Sequence, residues 1–172
     1  MGAVVKVVFR FREAPWDAAG LPDLAFLHTP AGPFQAWWMT RPMRTTVLTG
    51  WAGGPAAERL AGQDPTAVLA RALGALADTL PADRRRLEAE LEAWHVFDWL
   101  ADPFSQGAYS YVPVHELKTP SALAEPVEGT LFFAGEATHD RLSGTVAGAL
   151  ASGYRAADEV LRSLGGEVPG TD

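Results

Sequence analysis

The chain reads Val5-Lys6-Val7-Val8-Phe9-Arg10-Phe11-Arg12 near its beginning. Apolar side chains at the odd-numbered positions of this stretch alternate with Lys6, Arg10 and Arg12. A period of two residues is typical of a β-strand that buries one face and leaves the other toward solvent. The stretch therefore predicts a half-buried strand, which we expect to pair in antiparallel fashion.

Two further strands are predicted downstream. Phe34 to Met39 and Thr45 to Gly50 are rich in aromatic and β-branched residues, which favour strands. The Arg41-Pro42 pair between them indicates a turn. Together with the first stretch, they predict a small sheet of three strands.

Two helices should follow the sheet. Asp64 is a favourable N-cap, Pro65 suits the first helical position, and apolar residues then recur at helical spacing to near Thr79. Leu87 to Trp94 continues as a shorter helix. Residues 102–107 contain Asp-Pro and Ser-Gln-Gly sequences, which indicate an irregular loop of the kind that often carries binding sites.

The last third of the chain has a different pattern. Thr130 to Ala134 is a short, apolar run typical of a strand buried in a parallel sheet. After a polar loop, Gly144 to Leu164 predicts one long helix, whose first turns carry small residues that would allow close approach. We therefore divide the chain into residues 1–127, residues 128–166 and a flexible tail, residues 167–172.

Composition excludes several classes of function. The chain has 172 residues, of which 48% are hydrophobic, so it can form a core, while its formal net charge of −7 argues against binding nucleic acid. It lacks a run of about 20 apolar residues that could span a membrane. It has no cysteine, and its four histidines show no ligand spacing, so we predict a cytoplasmic protein without a metal site.

The most informative segment is Leu131-Phe-Phe-Ala-Gly-Glu-Ala-Thr-His139, followed by Gly144-Thr-Val-Ala-Gly-Ala149. A strand that ends in Gly135-Glu136 places a carboxylate where it can accept hydrogen bonds from the hydroxyls of a sugar or polyol. A helix that opens at Gly144 directs its free N–H groups at the same place. A plain turn between strand and helix is the alternative interpretation.

Several motifs in a fixed order resemble the flavin amine oxidases, a family that includes monoamine oxidases, polyamine oxidases and flavin-dependent histone lysine demethylases. The order is Lys6-Val-Val-Phe, then Phe11 through Trp16-Asp17, then Trp99-Leu-Ala-Asp-Pro-Phe104 with Gly107-Ala-Tyr-Ser-Tyr111, and last the segment from Leu131. The resemblance runs from about Val4 to Leu161. It implies an α+β fold, with a mixed or antiparallel substrate-domain sheet followed by the C-terminal strand and long helix of an FAD-binding domain.

The resemblance also assigns cofactor contacts. It implies that Gly135, Glu136 and Gly144 belong to the FAD site, with Glu136 on the ribityl or pyrophosphate region. It places the backbone of Thr145 and Val146 at the pyrimidine edge of the flavin. The remaining cofactor contacts that it implies are aromatic residues packed against the isoalloxazine, for which a place in the core is the alternative: Trp99 and Phe104.

For catalysis, the resemblance implies roles for three residues. Lys6 would bond through water to flavin N5 and help to activate O2, whereas without the resemblance it would be a solvated strand residue. Tyr109 and Thr145 would form the two walls of a cage for the amine substrate. Many members have an aromatic residue at the second wall, so Thr145 suggests a wider cage and a bulkier or differently shaped amine.

One element of the family pattern is missing. The sequence contains no Gly-x-Gly-x-x-Gly turn to hold the ADP half of FAD. We therefore expect a C-terminal fragment or a subunit that is completed by a chain carrying the N-terminal half, and that self-associates when alone. A non-catalytic binding or assembly module, and a related flavin oxidoreductase of the desaturase or porphyrinogen oxidase type, are the rival hypotheses.

Overall fold

The structure is a computed structural model that describes residues 1–29, 32–80 and 82–166. These residues form two compact units, residues 2–108 and residues 109–166 together with Met1. The α+β fold class is confirmed. The sequence-based division after residue 127 stays a prediction, and the predicted flexible tail lies outside the described residues.

Residues 2–108 contain one antiparallel sheet with the strand order β2-β3-β4-β1-β5. The three predicted strands are present as its centre, and two more flank them. The strands are β1 Val4–Phe11, β2 Phe26–His28, β3 Ala36–Met39, β4 Val47–Gly53 and β5 Leu91–Asp98. The predicted second strand is thus shorter than expected, and the third starts and ends later.

Helices cover one face of this sheet, and the main hydrophobic core lies between them. Helix α3 begins after Asp64, whose carboxylate accepts the N–H of Thr66 at 2.8 Å, and it ends at Thr79, so the predicted cap and end are confirmed. The helices of this unit are α1 Pro15–Ala18, α2 Pro55–Glu58, α3 Pro65–Thr79 and α4 Arg84–Glu90. The odd-numbered apolar residues of β1 are fully buried in this core, so the predicted alternation of β1 is confirmed.

The helix predicted over Leu87 to Trp94 is wrong in its second half. Helix α4 ends at Glu90, and β5 begins at once with Leu91. Strand β5 pairs with β1 in antiparallel register, with Trp94 opposite Phe9. Pairing with the central strand outweighs the local helical pattern, because the edge of β1 offers a whole row of hydrogen bonds and a buried face.

The five-stranded sheet takes no strand from residues 109–166. The prediction of a strand over residues 130–134 is wrong. Leu131 makes a single bridge to Val127, and 58% of Leu131 and 41% of Phe133 are exposed. A buried strand needs hydrogen-bonded neighbours on its edges, and the described part of this unit supplies none beyond that bridge. Its helices are α5 Thr119–Ala124 and α6 Val146–Ser163, with a 3₁₀ turn at Glu136–Thr138.

Close packing on the core face of the sheet predicts a sharp effect of Gly50→Ala. A methyl group at Gly50 would lie 2.5 Å from Trp37 Cζ3 and 2.8 Å from Val7 Cγ2, and both side chains are buried. We expect this overpacking to lower the free energy of unfolding by about 1–3 kcal/mol, measured by denaturant titration.

The matched control is Gly74→Ala, in the interior of α3, where the added methyl group would come no closer than 3.6 Å, to Arg84. Alanine favours a helix over glycine, so this variant should be more stable by about 0.5–1 kcal/mol. Equal effects of the two variants would contradict the packing described for β4.

Candidate functional site

The carboxylate of Glu136 lies at the centre of the second unit. Its Oε1 accepts the Ser110 N–H at 2.8 Å, and its Oε2 accepts the Ser110 hydroxyl at 2.7 Å and the Gly144 N–H. The carboxylate therefore joins the segment after Tyr109 to the loop that leads into α6. Glu136 lies in the 3₁₀ turn, as the alternative interpretation expects, and its carboxylate also links two segments of the chain, so its role at a cofactor stays a prediction.

The same contacts set the ionisation of Glu136. Partial burial raises the pKa of this carboxyl, but the hydrogen bonds from Ser110 and Gly144 lower it by more, so that the pKa lies below its ordinary value of 4.5. Glu136 is consequently ionised at neutral pH.

Helix α6 begins at Val146, two residues later than predicted, because Thr145 is its N-cap. The Thr145 hydroxyl accepts the Gly148 N–H at 3.0 Å and donates to the Leu142 carbonyl at 2.7 Å. Val146, the first helical residue, is 87% exposed. Because the Thr145 hydroxyl both accepts and donates a hydrogen bond within the chain, its methyl group is the part of the side chain left for the predicted cage wall.

The predicted cage residues fall on the two sides of this carboxylate bridge. Tyr109 immediately precedes Ser110, and Thr145 immediately follows Gly144. A side-chain carbon placed on Gly144 would lie 3.8 Å from Cδ2 of Tyr109, so the tyrosine ring lies beside the start of α6. The structure thus brings Tyr109 and Thr145 into one neighbourhood; their catalytic roles stay predictions.

Two residues of α6, Ser152 and Arg155, form hydrogen bonds to the residues on either side of Glu136. Ser152 is buried, and its hydroxyl accepts the Gly135 N–H at 2.9 Å. Arg155 donates to the Phe133 carbonyl at 2.8 Å and to Thr138 Oγ1 at 3.1 Å. Ser152 is one of the small residues that the sequence places in the first turns of the helix, and the structure shows that its hydroxyl forms hydrogen bonds as well, whereas no sequence pattern indicates Arg155.

Lys6 belongs to the first unit, on the face of the sheet opposite the core. Its cross-strand neighbours are Trp51 on β4 and Phe97 on β5. Its Nζ lies 5.8 Å from the centroid of the Trp38 ring. An ammonium group at this distance over an aromatic ring is attracted by the ring's negative face. Lys6 is half-buried among aromatic side chains, not a freely solvated lysine.

The aromatic loop after β5, residues 99–107, is held by a backbone hydrogen bond and by the carboxylate of Asp102. The Trp99 carbonyl accepts the Gly107 N–H at 2.7 Å, which closes the loop. Backbone N–H groups of Ser105 and Phe104 bond to Asp102 and lower the pKa of its carboxyl. Trp99 is 37% exposed and Phe104 is 96% exposed, so neither is a core aromatic residue of the unit.

The remaining predicted groups are simple to place. Among the described residues, no cluster of three or more histidine, cysteine, aspartate or glutamate side chains could hold a metal ion. The described helices include none long and apolar enough to cross a membrane. His139 uses Nδ1 to accept the N–H groups of Arg141 and Leu142, each at 3.2 Å, so it shapes the loop before α6.

Residues 1–161 match the family of flavin-containing amine oxidoreductases. The chain belongs to this family. Lysine-specific histone demethylase 1B of Mus musculus is 29% identical over an alignment of 164 residues, which covers 92% of this chain and 20% of the demethylase. The peroxisomal N(1)-acetyl-spermine/spermidine oxidase of Bos taurus is 32% identical over 186 residues, covering 91% of this chain and 34% of the oxidase.

A solved amine oxidase has the same fold. The cyclohexylamine oxidase from Brevibacterium oxydans IH-35A superposes with a TM-score of 0.73 at 24% identity, over 96% of this chain and 36% of that enzyme. The chain thus spans about a fifth of the demethylase and about a third of the two oxidases.

The second unit of this family member fits the hydroxyl-bearing part of a flavin. A carboxylate has about four acceptor positions, and Glu136 uses three of them within the chain, which leaves one for a ligand hydroxyl. The first N–H groups of α6 have no partner inside the helix, and they start at the exposed Val146. An electron-rich ring edge is the kind of group that such a helix end stabilises.

The lowered pKa of Glu136 predicts how stability depends on pH. Its ionised form is the one that Ser110 and Gly144 bind, so its stabilising contribution is fully present above the ordinary pKa of 4.5 and is lost as the pH falls through the lowered one. We expect the unfolding free energies of wild type and Glu136→Gln to differ most at neutral pH. The difference should shrink on acidification, as measured by denaturant titration from about pH 7 to pH 2.

A gap between wild type and Glu136→Gln that stays constant over this pH range would contradict an ionised, hydrogen-bonded Glu136. The control is Glu92→Gln. Glu92 lies on β5 and forms an exposed ion pair with Arg10 at 3.4 Å, so its removal should change stability little at any pH.

Proposed function

We propose that this chain is the C-terminal part of an FAD-dependent amine oxidase, which converts an amine and O2 to an imine and hydrogen peroxide, the imine then hydrolysing to a carbonyl compound. Bound FAD would supply the chemistry by accepting a hydride from the amine carbon and passing the electrons to O2. The observation that carries the proposal is the ionised Glu136, bonded to the start of α6 in a chain of this family.

The site and the relatives support an aliphatic amine as the substrate class. Their names describe action on lysine side chains of histones, on acetylated polyamines and on cyclohexylamine, which share an amine nitrogen on an aliphatic carbon. In this chain the aromatic wall is Tyr109 and the second wall is the methyl group of Thr145. A cage with one aromatic wall would hold the amine by shape and by contact with one ring face, and would leave space for a substituent.

Activity would also require a dinucleotide-binding part, either in a longer protein that contains these residues or in a second chain. The sequence has no Gly-x-Gly-x-x-Gly turn for the ADP half of FAD. In addition, α6 carries an exposed stripe of apolar side chains at intervals of three, four or seven residues. The stripe consists of Val146, Leu150, Tyr154 and Leu161, and it continues to Leu164, the C-cap of the helix. An apolar stripe of this length is typical of a helix face that packs against protein.

The chain expressed alone should therefore purify without flavin, because it offers only the contacts of the flavin end. The measurement is the visible absorption spectrum after gel filtration in the presence of added FAD. Co-expression with a dinucleotide-binding partner or with the missing segment should produce a yellow protein that releases hydrogen peroxide from an amine. Stoichiometric flavin on the chain alone would contradict the need for a second part, and a colourless complex would favour a non-catalytic module.

The charge of Lys6 gives a second test in the flavin-loaded enzyme. Negative charge develops on O2 as it is reduced, and an ammonium group nearby stabilises that charge, whereas oxidation of the amine carbon creates no anion that needs Lys6. We expect Lys6→Met to slow flavin reoxidation by a factor on the order of 10² and to change flavin reduction much less, in stopped-flow traces of the two half-reactions.

Arg10→Met is the matched control for Lys6→Met, because Arg10 is a cation on the same face of β1 and is well exposed. It should leave both half-reactions near their wild-type rates. Thermal unfolding of both variants separates a charge effect from lost packing of Lys6 on Trp38. Equal slowing of both half-reactions by Lys6→Met would indicate a structural defect, and an unchanged reoxidation rate would remove Lys6 from the site.

A further inference from the structure

The three hydrogen bonds of Glu136 join two segments that are distant in sequence. Ser110 lies 26 residues before Glu136, and Gly144 lies eight residues after it. Ser110 contributes both its N–H and its hydroxyl, one to each carboxylate oxygen, which fixes the carboxylate plane against that segment. A two-point contact of this kind restricts rotation as well as distance.

Each bonded residue is the direct chain neighbour of a predicted cage residue. Ser110 follows Tyr109, and Gly144 precedes Thr145. A shift of either segment would therefore move one cage wall relative to the other. The Tyr109 ring already lies beside Gly144, at 3.8 Å from the position of a side-chain carbon there, so the two walls share a narrow space.

The loop that carries Glu136, residues 133–138, is also bonded to helix α6. Ser152 binds the Gly135 N–H, and its hydroxyl also lies 3.0 Å from the Gly135 carbonyl. Arg155 binds the Phe133 carbonyl and Thr138, and it is held by Glu159 at 2.8 Å. The backbone on either side of Glu136 is thus bonded to α6, while its carboxylate is bonded to Ser110 and Gly144.

We propose that Glu136 and the Ser110 hydroxyl are positioning residues that set the spacing between Tyr109 and Thr145, and through it the fit of the amine. The bridge itself is a property of the fold, whereas its meaning for the amine rests on the proposed function. The role of Glu136 is then double: three of its acceptor positions hold the cage together and one remains for the cofactor. Ser110 acts on the substrate site through its two hydrogen bonds to Glu136.

The first experiment uses the 172-residue chain and needs no flavin. Nuclear Overhauser spectra report whether Tyr109 ring protons lie close to the α protons of Gly144. We expect this cross-peak in wild type, its loss in Glu136→Ala, its weakening in Ser110→Ala and partial rescue in Glu136→Gln, which keeps one acceptor oxygen. Ser163→Ala is the control, because that hydroxyl bonds to the Val160 carbonyl at 2.8 Å near the exposed end of α6.

A Tyr109–Gly144 cross-peak of wild-type strength in both Glu136→Ala and Ser110→Ala would overturn the proposal. Circular dichroism of the same samples reports the total helix content, to which the 18 residues of α6 contribute, so it detects unfolding of the variants. Ser110→Ala, which keeps the backbone bond to Glu136, remains informative where Glu136→Ala unfolds the unit.

The second experiment uses the flavin-loaded enzyme. Ser110→Ala should raise KM for the amine by about 10-fold, as expected for one lost hydrogen bond, with flavin content unchanged and kcat changed less. Glu136→Ala should both raise KM and weaken retention of FAD. A Ser110→Ala enzyme with wild-type KM would overturn the positioning role. If no loaded form oxidises any amine, the proposed function fails, while the cross-peak still decides whether the bridge sets the spacing.

Discussion

The pairing of β1 with β4 on one side and β5 on the other is the interaction on which the first unit depends. A central strand satisfies its backbone groups on both edges, so its position fixes the register of both neighbours. Register in turn decides which side chains are buried, because a slip by one residue would exchange the two faces. With β1 in this register, Phe9 enters the core and Lys6 lies between Trp51 and Phe97 on the other face. The core and the predicted oxygen-activating lysine are consequences of one alternating strand.

The second unit is held together in a different way. The buried hydrophobic cluster of the chain lies within residues 3–87, whereas buried side chains in residues 109–166 are few and small. Hydrogen bonds to Glu136, Ser152 and Arg155 take the place of an apolar core there. Such bonds give defined geometry but only a modest net free energy, about 1 kcal/mol each. The second unit therefore has few apolar contacts inside it, and several apolar residues of α6 are exposed.

Sequence patterns predicted correctly the features that depend on neighbouring residues. They predicted wrongly the segments whose structure depends on contacts with distant residues. The alternation around Lys6 and the cap of α3 at Asp64 are local patterns, and both are present in the structure. The local pattern predicts a helix over Leu91 to Trp94, because nothing local shows that β1 has an unpaired edge for it. The apolar residues from Thr130 to Ala134 predict a buried strand, although a strand also needs a partner. Ser110 and Arg155 were missed for a related reason, since their bonds reach 26 and 22 residues along the chain.

The solvent exposure of Lys6 and Glu136 limits how strongly their charges can act. Lys6 and Glu136 are charged groups with defined neighbours, but both are only partly buried, and Phe104 is 96% exposed. Charges in water interact weakly, about 1 kcal/mol at 4 Å, and the same pair is several-fold stronger where water is excluded. Each of these two charges therefore has defined neighbours, but neither lies in the low dielectric in which a charge acts strongly. In the proposed enzyme, burial of the apolar residues around Lys6 and along α6 would lower the dielectric there, so cofactor binding, burial and catalytic strength should arise together and not one by one.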